Sequence, residues 1–208
     1  MKENLLLLGC LAGGVAFGAS GWAPALLQRP ELPMLLLSLL VLQVGIGLGS
    51  KPDLRGLLRS LRWPMLLLPV FTIVGTLLAT LAAGLLFRDE ALSDLMAAGS
   101  GFGYYSLSSL LIVEAKTLTA GAEAAARLGA IALLANIIRE LLALFGCAYV
   151  VRRSGGYAAI SVAGACSMDV CLPAILRSSA DKSLLPVAMV HGLVLEVSVP
   201  LLVTGFCH

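Results

Sequence analysis

The sequence predicts an all-α polytopic membrane protein, with about five transmembrane helices and two re-entrant or broken helical segments. Three observations predict it. First, 59% of the 208 residues are hydrophobic and 12% are charged, against about 25% charged in a soluble domain. Second, the mean hydropathy is +0.98, more apolar surface than one soluble core can hide, so lipid must cover part of it. Third, apolar runs of about 20 residues, the length that crosses a bilayer, recur along the chain, and two of them are interrupted at their centres. The net charge of +2 is small. Lys and Arg sit at the ends of apolar runs rather than in one basic patch, which argues against a nucleic-acid partner. The partner that composition demands is the lipid bilayer.

The elements follow in order. Residues 5–27 form the first span; the run outlasts the apolar core of a signal peptide, about 7–15 residues, so it reads as a retained helix. Gln28-Arg29-Pro30-Glu31 turns the chain into a second span over 33–49. The next loop carries Lys51, Arg55, Arg59 and Arg62 against Asp53. Positive loops favour the cytoplasm, which puts this loop and, two spans earlier, the N-terminus inside. A third span covers 64–87.

The run over 91–113 contains Gly99-Ser100-Gly101-Phe102-Gly103, and three glycines in five residues suit a continuous helix poorly. A polar connection over 114–127 and a long helix over 128–151 follow, ending at Arg152-Arg153. If 91–113 crossed once, that arginine pair would lie outside. A re-entrant 91–113 returns it to the cytoplasm, and irregular backbone at that depth is allowed where protein or a wet cavity surrounds it. The pattern then repeats. Residues 157–176 are broken at Gly164-Ala165-Cys166-Ser167-Met168-Asp169, and 184–206 is the last span, with the C-terminus outside. Two broken segments entering from opposite faces suggest an inverted repeat and, as in secondary transporters, a site at their meeting point. The whole chain reads as one transmembrane domain.

Charges inside apolar helices nominate the site. Glu140 lies on the 128–151 helix, roughly 18 Å along the axis from Arg152, near the middle of the membrane, where a charge usually faces a cavity or a partner. Asn136, Arg139 and Glu140 have i, i+3, i+4 spacing and are expected on one helix face. Asp169, with Ser167 close by, sits at the second break. Two carboxylates meeting there could hold a cation or exchange a proton for one; alternatively, Asp169 caps the helix that follows. In the first break, Gly101 and Gly103 would admit a ligand to the backbone, and Ser100, Tyr104, Tyr105, Ser106 and Ser108 supply neutral hydrogen-bonding groups. His191 could line the cavity. Glu196 lies on a different face of the last span and is a weaker candidate. Glu114 and Lys116 are expected to be solvated or paired with each other.

Cys10, Cys147, Cys166, Cys171 and Cys207 contain no CxxC spacing and are expected to act as small hydrophobes. No GxSxG, HExxH or Walker loop occurs, so an enzyme, a resident metal and a cofactor are not expected.

Several stretches carry a resemblance. They are Val44-Gly45-Ile46, Ser100-Gly101-Phe102-Gly103-Tyr104-Tyr105-Ser106-Leu107-Ser108, Asn136-Ile137-Ile138-Arg139-Glu140-Leu141, Gly164-Ala165-Cys166-Ser167-Met168-Asp169, Leu172-Pro173 and Val190-His191-Gly192. In these the chain resembles the bacterial lysine exporter (LysO) family, matching the C-terminal two-thirds of full-length members. The resemblance implies export of L-lysine and its analogues across the inner membrane, with the family's acidic pair falling on Glu140 and Asp169. It also implies further N-terminal spans, supplied by a small membrane partner protein or replaced by a homo-oligomer. Drive by an ion gradient or the membrane potential, as an antiporter, is the expected energy source, since no ATP site is visible. An ion-coupled carrier for another solute and a non-transporting membrane subunit are the alternatives.

Overall fold

The computed structural model describes residues 63–86 and 91–207, with scattered helical positions before them. The spans expected at 5–27 and 33–49 lie largely outside the described residues. Six α-helices follow: α1 (Trp63–Gly84), α2 (Leu92–Gly99), α3 (Tyr105–Ala120), α4 (Ala122–Ala163), α5 (Leu172–Ser179) and α6 (Leu184–Cys207), with a 3-10 turn at Gly164–Met168 before α5. No strand occurs among the described residues. Among them α1, α4 and α6 are long and apolar enough to cross a membrane.

Helix α4 is two helices in one run. Gly155 interrupts it with φ 85° and ψ 174°, just after Arg152-Arg153. Residues 122–154 form the long helix, and 156–163 open the second broken segment. The polar connection expected over 114–127 is instead helical. Residues 120–126 are Ala-rich apart from Gly121 and Glu123, and alanine is the strongest helix former. The one interruption is Gly121, at φ 87°.

Both interrupted segments are hairpins. In the first, α2 and α3 leave and return to the same end of the bundle. Lys116 near the end of α3 pairs with Asp94 near the start of α2 at 2.6 Å, rather than with Glu114. The base of this hairpin meets the end of α1, where Gly84 has no room for a side chain beside Leu92. It also meets the end of α6, where Cys207 lies beside the Lys116–Asp94 pair.

The second hairpin, residues 156–179, returns to the opposite end. Gly156 packs directly on Leu184, the first residue of α6. At that turn the Ser183 backbone N–H donates to the Asp181 carboxylate at 2.9 Å. Hydrogen bonds from Ser183 hold that carboxyl below the usual carboxylate range.

The two hairpins divide the core in two. One apolar cluster, with Phe102, Leu107, Ile112 and Val203, seats the first hairpin against α4 and α6. The other, with Ala143, Ile160, Ile175 and Val187, seats the second against the same two helices. The tips meet between them.

Gly164 makes that meeting possible. Its φ is 66°, in the left-handed region, and a Cβ there would collide with the Phe102 carbonyl oxygen. Gly164→Ala therefore costs about 2 kcal/mol or more, from backbone conformation and collision together. Gly146→Ala, where a Cβ meets nothing within 4 Å, is the control. Thermal unfolding of the purified protein in detergent should show a clear loss for the first and none for the second. Equal melting temperatures for Gly164→Ala and the unsubstituted protein would contradict the tip packing described.

Candidate functional site at the hairpin tips

The tips interlock through backbone. The Ala165 N–H of the second hairpin donates to the Phe102 carbonyl of the first at 2.9 Å. The Cys166 thiol donates to the Gly103 carbonyl at 3.5 Å. Phe102 is fully buried with φ 45°, an uncommon conformation for a bulky side chain and a form of strain that clusters at working sites.

Asn136 of α4 holds the first tip in place. Its side-chain oxygen accepts from the Gly103 N–H at 2.8 Å. Its amide nitrogen donates to the Ala98 carbonyl at 3.0 Å and to the Ala132 carbonyl at 2.9 Å. It thus satisfies the end of α2 and the loop leading to α3, two places where a broken helix strands backbone groups. Gly101 is compact because Asn136 and Ser108 fill the space a Cβ would take. Ser108 itself is fully buried and donates to the Tyr105 carbonyl within its own helix at 3.3 Å.

Glu140, one turn beyond Asn136, is 5% exposed. The Cys166 side chain lies beside it, and Asp169 lies within electrostatic range. Tyr105 senses Glu140, Cys166 and Asp169 together. Asp169 lies at the open edge of the junction, exposed, with Oδ1 accepting the Val170 N–H at 2.6 Å. It does not cap α5, whose N-cap position is Cys171. Ser106 is half-buried in the first turn of α3.

Three expectations change here. Arg139 does not share the Glu140 site. Successive helix residues differ by about 100° around the axis, and Arg139 turns toward α1 and the second hairpin. Its donors reach the Val162 carbonyl at 3.3 Å, Thr76 Oγ1 at 3.3 Å and the Ser161 carbonyl at 3.2 Å. His191 is held in a buried hydrogen-bond network: it is fully buried, with Nε2 against Thr72 Oγ1 at 2.9 Å and Nδ1 against Ser167 Oγ at 3.0 Å. Since Ser167 donates to the Ala188 carbonyl at 3.1 Å, its oxygen accepts from His191 Nδ1–H. In this way Ser167 and His191 bind the second tip to α6 and α1. The third change concerns Cys166, which sequence reasoning treats as a hydrophobe, although it touches both the first tip and Glu140.

Glu196 lies within electrostatic range of Tyr104 at the first break. Tyr104 and Cys166 are the residues that charge counting misses, because neither carries a charge. The signal for both is their place inside an interruption rather than their chemistry. Among the described residues no group of three His, Cys, Asp or Glu side chains could hold a metal.

Asn136→Leu removes the three side-chain hydrogen bonds of Asn136 and leaves the Gly103 N–H and Ala98 carbonyl without their side-chain partner. The expected cost is about 2 kcal/mol or more, read as a lower melting temperature and faster proteolysis within residues 99–105. A melting temperature within error of the unsubstituted protein would contradict the clamp role.

Comparison with known proteins places this architecture. The family model for the lysine exporter LysO matches residues 8–207. The lysine exporter LysO of Escherichia coli is 32% identical over 205 residues, which is 98% of this chain and 64% of that protein. A Haemophilus influenzae protein named "Putative lysine exporter" is 29% identical over 137 residues, 66% of this chain and 64% of that protein. The chain therefore spans less than two thirds of the length of these relatives. No solved structure matches it. The match over nearly every residue, interrupted segments included, means that this chain belongs to the lysine exporter LysO family.

Proposed function

We propose that the protein is a secondary transporter that exports L-lysine and its analogues across the inner membrane, with Glu140 and Asp169 as the groups that receive the cation. The observation that carries this reading is the pair itself. A buried carboxylate on a continuous helix stands within electrostatic range of a second carboxylate at a hairpin tip. Lysine carries a positive side chain at physiological pH, and a low-dielectric site strengthens its attraction to a carboxylate. The Cys166 thiol and Tyr105 flank Glu140 as neutral groups.

The relatives named as lysine exporters support the substrate, and the greater length of the Escherichia coli protein bears on what completes the transporter. A small membrane partner or a second copy of this chain would supply the further helices. An ion gradient or the membrane potential drives export in this reading, with the N-terminus cytoplasmic and the C-terminus outside.

Lysine efflux from preloaded cells or proteoliposomes tests the pair. Glu140→Gln and Asp169→Asn should each lower efflux by about 10- to 100-fold, the loss of one charge-assisted contact, with unfolding temperatures unchanged or raised. Full efflux in both variants would remove these residues from the mechanism. Efflux of another solute with no response to lysine would favour the carrier for a different substrate. No flux of any solute, with every candidate partner present, would favour a non-transporting subunit.

A further inference from the structure

Beside the tip junction, α1, α2 and α4 line an open groove of about 700 Å³, within the usual range for a small-molecule site. Its walls are largely small residues, with three threonines, Thr72, Thr76 and Thr80, at helical spacing along α1 and Ser161 of the second hairpin opposite. One charged side chain enters it, Arg139. A guanidinium has five N–H donors and no acceptor. Three of them go to neutral oxygens, at 3.2 to 3.3 Å. One N–H on each terminal nitrogen remains, and no carboxylate pairs with Arg139 among the described residues. The Phe102 ring lies 6.0 Å from the guanidinium carbon and offers only a weak cation–π contact.

The result is a positively charged group held in place by neutral anchors on three sides and facing a cavity. A charge withdrawn from water without a counter-ion is costly. The two uncommitted N–H groups match the two oxygens of a carboxylate, which guanidinium binds as a fork. Thr76 and the Ser161 and Val162 carbonyls orient the group before any ligand arrives, which lowers the ordering cost of binding.

We propose that this groove binds the α-carboxylate of the transported amino acid on Arg139. The Arg139 contact is distinct from the Glu140–Asp169 pair, since the two side chains leave α4 in different directions, and Cys166 lies within electrostatic range of all three, so one amino acid can reach both. An amino acid docked here by its carboxylate is selected as an amino acid; its side-chain charge is then read at the acidic pair. Diamines lacking the carboxylate satisfy the second requirement and not the first. This inference rests on the exporter reading and adds to it the means of rejecting simple polyamine-like cations.

The test compares L-lysine with cadaverine, the same carbon chain without the carboxylate, by equilibrium binding to the full chain in nanodiscs. The unsubstituted protein should prefer lysine by at least about tenfold, the worth of one charge-assisted fork. Arg139→Gln should bring the ratio near one while cadaverine affinity stays within about twofold. Arg139→Lys should keep part of the preference. Thr76→Val removes an anchor but keeps the charge, and should lower the preference partway; it serves if Arg139→Gln does not fold. A preference that persists in folded Arg139→Gln, or in Thr76→Val when the former does not fold, overturns the proposal. Equal binding of both ligands by the unsubstituted protein overturns the carboxylate site and leaves the exporter reading intact. Binding of neither overturns both. An unchanged ratio accompanied by a changed oligomeric mass in Arg139→Gln overturns it as well, and assigns the groove to a protein carboxylate.

Discussion

Two broken helices cannot lie inside a membrane unless their loose backbone groups find partners, because lipid supplies none. The structure depends on how this chain meets that demand. Each hairpin tip supplies what the other lacks: the Phe102 carbonyl of the first receives the Ala165 N–H of the second. Asn136 then closes the first tip from the side, serving the Gly103 N–H and the Ala98 carbonyl with one side chain. Ser167 and His191 tie the second tip to α1 and α6. Neither hairpin is self-sufficient, so each tip is held where the other needs it. Gly164 is the cost of that arrangement in sequence terms, since another residue would meet Phe102.

This constraint also separates the charges. Glu140 turns toward Cys166, Tyr105 and Asp169. Arg139 turns toward Thr76 and the carbonyls of Ser161 and Val162. Opposite charges one residue apart on a helix would neutralise each other if they turned to the same partner. The tips give each its own neutral neighbours instead, and they are held by hydrogen bonds between separate elements rather than by one continuous helix.

Much of the fold was legible in the sequence. Apolar runs of spanning length, one broken by clustered glycines and another by Gly164-Ala165-Cys166-Ser167-Met168-Asp169 with Pro173 beyond, point to the breaks at 100–104 and 164–171. Charge in an apolar context points to Glu140 and Asp169. What stayed hidden was direction. The spacing of Asn136, Arg139 and Glu140 places them on one broad face, but only tertiary packing shows that Asn136 and Glu140 reach the tips while Arg139 turns to the groove. The helical 114–127 was obscured for a different reason. Its polar side chains read as a loop by hydropathy, while its backbone preference, with alanine at most positions from 120 to 126, favours helix. The Cys166 thiol and the Thr72–His191–Ser167 contacts were hidden because neutral polar groups leave no mark in a composition profile.

The position of Asp169 carries the last step. Glu140 is sheltered by the bundle, so the described helices account for its surroundings. Asp169 is not: it is exposed at the level where the tips meet, and exposed apolar side chains such as Leu78, Phe145 and Leu201 cover other outer faces. A carboxylate at that depth facing hydrocarbon would cost at least about 2.5 kcal/mol, whereas those apolar side chains would cost nothing against it. The surface around the junction is therefore of two kinds, one that lipid can cover and one that it cannot. Protein or water, not lipid, must lie against the second kind, and the edge that holds Asp169 belongs to it.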